Sequence, residues 1–218
     1  MFIINCKNYD EISGEKIIKL AKISQRISKK YKIPIAIAPP HHLIPLIVKF
    51  NVIILAQHLD DKKVGSTTGF MIPEIVKKSK INGSLINHSE HRIPEKEIKN
   101  LVKRLKRLKL KTVLCVKNVN ESKKYAKLNP TFIAIEPPEL IGTGRAISTE
   151  RPQLITKAVD SVKSAKNSTK LLCGAGIVSG NDVARAKQLG SKGILVASGI
   201  VKAKNWEKII EEFSRALV

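Results

Sequence analysis

Residues 132–147 read FIAIEPPELIGTGRAI. The apolar run at the start is short enough for a buried strand, and it ends at a carboxylate, Glu136. Pro137 and Pro138 stop regular structure there, and Gly142 and Gly144 punctuate the loop that leads to the next helix. One acidic side chain at the carboxyl end of a buried strand, beside a glycine-hinged loop, suits a general base under a mobile lid. The same residues taken alone also describe a surface glutamate before a proline-rich turn, so the rest of the chain decides.

Seven more apolar runs of the same kind flank this one. On the N-terminal side they are Phe2–Ile4, Ile33–Ala38, Asn51–Ala56, Gly83–Asn87 and Thr112–Val116; on the C-terminal side, Lys170–Cys173 and Gly193–Val196. Between them the apolar positions recur at helical spacing. The pattern predicts helices over 14–30, 43–49, 73–80, 120–127, 152–166, 180–189 and 204–217, and an amphipathic basic helix over Lys99–Lys111 (KNLVKRLKRLKLK). Runs that are continuously apolar rather than alternating belong to parallel strands covered on both faces. Eight strands alternating with eight helices favour a closed (β/α)8 barrel over an open doubly wound sheet, with residues 1–218 forming a single domain.

In such a barrel the reactive groups collect just past the carboxyl ends of the strands. Asn5, Lys7, His88 and Glu136 all fall there, as do Gly174-Ala175-Gly176 and Ala197-Ser198-Gly199. The glycine-rich turns after strands seven and eight suit a phosphate held by backbone N–H groups and a short helix N-terminus. Lys7 supplies a fixed cation for an anionic substrate. His88 is expected between a strand and a helix start, a setting that favours a neutral imidazole able to donate to a carbonyl. A base, a neutral electrophile, a cation, a phosphate clamp and a lid together point to proton abstraction beside a carbonyl through an enediolate. No redox-cofactor motif and no metal-ligand spacing occur, and His41-His42 reads as loop, so the expected reaction uses no cofactor.

The formal net charge is +22, from 40 Lys and Arg against 18 Asp and Glu, which favours an acidic partner. Aromatic residues make up only 4% and no nucleic-acid-binding module is present, so the expected partner is a phosphorylated metabolite rather than nucleic acid. No stretch reads as a signal peptide or a membrane span. Cys6, Cys115 and Cys173 are read as reduced thiols, small buried hydrophobes of a cytoplasmic protein.

Five motifs carry a resemblance that spans essentially the whole chain: NCKNY at 5–9, NHSEHR at 87–92, AIEPPELIGTG at 134–144, CGAGI at 173–177 and LVASG at 195–199. In this order and spacing they resemble the triosephosphate isomerase family, in its short archaeal form. The last two are shared by many phosphate-binding barrels, whereas the Glu136 segment is specific. The resemblance implies a TIM barrel that interconverts dihydroxyacetone phosphate and D-glyceraldehyde 3-phosphate, in glycolysis and gluconeogenesis. It implies Glu136 as base, His88 as electrophile and Lys7 as electrostatic partner of the enediolate. Asn5 and Lys7 would contact substrate oxygens, Ile141 and Gly142 would cover the phosphate, and Gly176, Ala197 and Ser198 would hold it. Glu90 resembles a carboxylate that supports Lys7.

Some residues depart from the more widespread bacterial and eukaryotic form. No Trp follows the lid proline, Cys173-Gly174-Ala175-Gly176 replaces Tyr-Gly-Gly-Ser, Ala197-Ser198 replaces paired glycines, and His91 stands for a frequent Arg. The loop Val64–Phe70, with Thr68, resembles one that reaches into a neighbouring subunit, which implies a homodimer at least. Archaeal members often pair dimers into tetramers through the fourth and fifth helices, but a basic fourth helix disfavours that contact. Another phosphate-binding barrel, such as a sugar-phosphate epimerase or an aldolase-like enzyme, remains the competing reading, with a basic nucleic-acid-binding relic barrel behind it.

Overall fold

A computed structural model describes all of residues 1–218. Eight strands run β1 Phe2–Asn5, β2 Ile35–Ala38, β3 Ile53–Ala56, β4 Gly83–Ile86, β5 Lys111–Val116, β6 Phe132–Ile135, β7 Lys170–Cys173 and β8 Ile194–Val196. They pair in sequence order, all parallel, and β1 closes on β8 with Ile3 opposite Leu195. The chain is therefore the closed (β/α)8 barrel expected from its alternation.

The strands read as unbroken apolar runs because both of their faces are buried. Inward-pointing Ile3, Ala36, Ala38, Leu55, Leu85, Val113, Cys115, Phe132, Ala134, Leu172 and Leu195 fill the barrel as one cluster. Their neighbours one residue along, such as Phe2, Ile4, Ile37, Ile133 and Ile135, face outward into the larger cluster beneath the helices. One such contact sets Phe2 on Phe213, ring centroids 6.0 Å apart.

Ten helices surround the barrel: α1 Lys16–Tyr31, α2 Ile44–Ile47, α3 Pro73–Lys78, α4 Glu95–Arg107, α5 Val119–Ala126, α6 Ile147–Glu150, α7 Pro152–Lys163, α8 Gly180–Gln188, α9 Ser198–Val201 and α10 Trp206–Leu217. Two more than expected appear because single helical turns, α6 and α9, follow the lid and the last strand. His41 and His42 lie in a short 3-10 turn rather than in open loop.

The basic helix is displaced from the expected range. It begins at Glu95, after Pro94, and ends at Arg107, because Lys109 turns left-handed (φ 56°) and Lys111 already belongs to β5. The apolar stripe of α4 is Ile98, Leu101, Val102 and Leu105, with Leu108 beyond its end. Its first turn carries Glu95 and Glu97 and its last turn Arg104, Lys106 and Arg107, the order that suits the helix dipole. No helix is long and apolar enough to cross a membrane.

Candidate active site

The carboxyl ends of β1, β4, β6, β7 and β8 converge on one mouth, and every candidate site residue lines one of two cavities there. Asn5, Lys7, His88 and Glu90 line a recess of about 770 Å³. Glu136, Ile141, Gly142, Gly176, Ala197 and Ser198 line a small neighbouring cavity of about 40 Å³, and Lys7 belongs to both. The lid tip thus lies against the loops after β7 and β8, on the same side as the carboxylate.

Glu136 follows β6, and its backbone N–H continues the ladder by donating to Val116 O at 2.9 Å. The residue is 6% exposed, and its Oε2 has no hydrogen-bond partner. Across the mouth, Nε2 of His88 stands 3.6 Å from that oxygen. A buried carboxylate oxygen without a donor has its lone pairs free to meet a substrate proton. Gly174, at the end of β7, makes room for it: a Cβ there would come within 2.5 Å of Glu136 Cγ. The sequence reading placed Gly174 in the phosphate-holding turn but not against Glu136, which lies 38 residues away.

His88 does not sit at a helix start, contrary to expectation. The next helix begins seven residues later at Glu95, and His88 instead opens a tight turn in which His91 N–H donates to His88 O at 2.9 Å. The turn still supplies a donor: Glu90 N–H points at Nδ1, 3.3 Å away. Nδ1 must then present a lone pair, which places the ring proton on Nε2, facing the mouth. Burial, the strongest single influence on the ring, disfavours the imidazolium. The nearby Glu136 and Glu90 carboxylates pull the other way and carry the pKa above its usual value of 6.5. Asn5 Nδ2 lies 3.5 Å from Nε2, so two N–H groups can donate to one shared oxygen.

Lys7 has a left-handed backbone (φ 47°), unusual outside glycine. Its N–H donates to Asn5 Oδ1 at 3.0 Å, and its Nζ donates to Glu90 Oε1 at 2.6 Å. The loops that would hold a phosphate are equally constrained. Ala175 and Gly176 are both left-handed (φ 68° and 71°), and Gly176 lies so close under Arg145 O that no side chain fits. Ser198 opens α9, whose first amides have no partner inside the helix.

The three cysteines are free and buried. Burial pushes each thiol up, and the Glu136 charge adds to this for Cys115 and Cys173, so all three stay protonated. No group of three or more His, Cys, Asp or Glu side chains is arranged to hold a metal ion.

Fold and mouth together define a (β/α)8-barrel enzyme with its polar groups gathered at the carboxyl ends of the strands. A family model described as Triosephosphate isomerase matches residues 1–213. Curated proteins named triosephosphate isomerase are similar along nearly their whole length. That of Cenarchaeum symbiosum (strain A) is 49% identical, covering 100% of this chain and 97% of its own. That of Methanocaldococcus jannaschii is 42% identical over 97% of each, and that of Methanothermus fervidus 39% identical over 97% and 96%. The chain belongs to the triosephosphate isomerase family.

Proposed function

We propose that Glu136, His88 and Lys7 carry the family's reaction, the interconversion of dihydroxyacetone phosphate and D-glyceraldehyde 3-phosphate, and that residues 1–218 act as one domain. The Glu136 carboxylate takes the pro-reactive proton from the carbon beside the carbonyl. The neutral His88 donates from Nε2 to the carbonyl oxygen, joined by Asn5, so that charge moves onto an oxygen already facing donors. Lys7 offsets the charge of the enediolate. The proton of the adjacent hydroxyl passes to the former carbonyl oxygen by way of His88 Nε2, and Glu136, now a carboxylic acid, returns its proton to the neighbouring carbon, so the step balances without a cofactor. Gly176, Ala197 and Ser198 hold the phosphate through backbone amides, Ile141 and Gly142 cover it, and Glu90 keeps the Lys7 ammonium in place.

The observation that carries this reading is the buried, unpartnered Oε2 of Glu136 standing 3.6 Å from His88 Nε2. A coupled isomerase assay on the wild type and on Glu136→Gln tests it. Turnover should drop by about 10²- to 10⁴-fold with substrate binding largely retained. Wild-type turnover in the variant would place the base elsewhere.

The assembly proposed is a homodimer. The loop 62–70 is exposed along its length, with Val64 57% and Phe70 43% exposed, apolar surface that suits a partner subunit. The recess of about 770 Å³ beside Lys7 and Glu90 offers room for such a loop. Pairing of dimers through α4 is disfavoured, because Lys96, Lys99, Lys103 and Lys106 are exposed on one of its faces. Size-exclusion chromatography with light scattering decides between these states, and a monomer at micromolar concentration would refute the dimer. A cytoplasmic setting accords with three free thiols.

A further inference from the structure

Lys7 cannot relax into its left-handed backbone for free, so something must hold it there. Asn5 Oδ1 accepts its N–H at 3.0 Å. The carbonyl on the other side of the same residue accepts from Gln57 Nε2 at 2.9 Å. Gln57 lies immediately past the end of β3, and the same Nε2 donates to Ala38 O, the last residue of β2, at 3.1 Å. Its own backbone N–H donates to His41 Nε2 at 3.1 Å, which fixes the main chain that carries the amide. The two carbonyl acceptors settle which end of the amide faces them, since an oxygen there would be repelled by both.

We propose that Gln57 is a positioning residue for Lys7. Its amide locks the strained Lys7 carbonyl to the ends of β2 and β3, so that the ammonium points into the mouth while Glu90 holds its tip. Gln57 touches no reacting atom. The inference rests on Lys7 acting in the reaction, as proposed above. Hydrogen bonding at the Lys7 main chain thus divides between an acceptor on β1 and a donor after β3, and the ion pair to Glu90 completes a three-point fix.

The test compares kcat/KM, well below the melting temperature, for wild type, Gln57→Met, Lys7→Ala and the double variant. Methionine keeps the length of the side chain and removes both donations. Displacement of the ammonium by about an ångström is expected to lower kcat/KM roughly 10- to 100-fold. In the Lys7→Ala background, Gln57→Met should cause no further loss, because the group it positions is gone. Ser191→Ala is the matched control. The Ser191 hydroxyl, 4% exposed at the opposite end of the barrel, donates to Gly193 O at 2.6 Å, so its loss removes a buried donor without touching the mouth. It should lower stability and leave kcat/KM unchanged.

If Gln57→Met fails to fold, Gln57→Glu takes its place. An ionised carboxylate cannot donate, whereas a protonated one can donate once, so its deficit relative to wild type should shrink as pH falls. Wild-type kcat/KM in Gln57→Met, a deficit in Gln57→Glu that does not change with pH, or losses that multiply in the double variant would each overturn the proposal. Full activity in Lys7→Ala would instead refute the role of Lys7 itself. Collapse in Lys7→Ala with full activity in Gln57→Met would refute only the inference about Gln57.

Discussion

His88 Nε2 and Glu136 Oε2 face each other at 3.6 Å, both side chains buried, just past the ends of strands β4 and β6, which do not pair with one another. That distance is too long for a full hydrogen bond and short enough for each charge state to govern the other. The carboxylates of Glu136 and Glu90 raise the His88 pKa above 6.5 against the opposing effect of burial. With His88 acting as the neutral electrophile proposed above, kcat/KM should fall as pH drops through that raised value. His88→Gln replaces the ring with an amide donor that does not titrate. It should lower kcat/KM by about 10²-fold or more and remove the acid limb. A pH profile of both proteins decides, and an unchanged acid limb in the variant would assign it to another group.

Gly174 and Glu136 meet across β6 and β7. A methyl group at 174 would stand 2.5 Å from Glu136 Cγ and 3.0 Å from Oε1, so the carboxylate must swing away. The backbone at Gly174 is not left-handed, which makes the steric collision the only effect of Gly174→Ala. Misplacement of the proposed base by about an ångström predicts a kcat/KM loss on the order of 10²-fold. Overpacking should cost about 1–3 kcal/mol of stability. Steady-state kinetics and urea denaturation measure the two separately.

Gly176 couples the lid to the phosphate loop. Its φ of 71° disfavours any side chain, and a Cβ would run into the carbonyl of Arg145, where the lid re-enters the barrel. Just beyond, Ile147 N–H reaches Ala175 O at 3.4 Å. Gly176→Ala must therefore push the lid base outward and rotate the amide offered to phosphate. The expected result is a rise in KM of about tenfold, with destabilisation of about 1–3 kcal/mol. Kinetics with the triose phosphate and with inorganic phosphate as competitor would show whether both affinities fall together.

Much of this site was legible because the informative residues are local. The run before Glu136, the prolines after it and the glycines of the lid are contiguous, and so are Asn5 and Lys7 past β1. What could not be read involves partners far apart in the chain. Gln57 acts on Lys7 50 residues away and Gly174 on Glu136 38 residues away, contacts that only barrel closure creates. The surroundings of His88 differ from expectation: no helix starts beside it, since α4 begins only after Pro94, and a turn supplies the N–H donor to Nδ1 instead. The end of α4 falls short of the expected range because Leu108 keeps the apolar rhythm while the left-handed Lys109 breaks the helix. Lysine carries no turn signal from which that break could be read.

The recess beside the active site gathers His41, His42, His58 and His91 along with His88. His58 and His91 stack at 3.9 Å between centroids, 19° from parallel, and His58 Nε2 lies 3.5 Å from Asp60 Oδ1. Burial chiefly, then the neighbouring histidines, lower the pKa of His41 and of His58, with Asp60 opposing in part. A histidine whose folded-state pKa lies below its unfolded value stabilises the fold fully above 6.5. That contribution is lost as pH falls from 6.5 through the lowered value. His88, with a raised pKa, has the opposite sign: its contribution is present below 6.5 and lost as pH rises through the raised value. Protonating His41 would also remove the acceptor for Gln57 N–H, so acid should loosen the same backbone that supports Lys7. The urea midpoint at fixed protein concentration should therefore fall as pH drops below 6.5. The fall should be smaller in His58→Gln and in His41→Gln, and unchanged in His88→Gln, which loses instead the gain in stability as pH drops through the raised value toward 6.5. An equal acid dependence in all four proteins would assign the effect to carboxylates elsewhere in the fold.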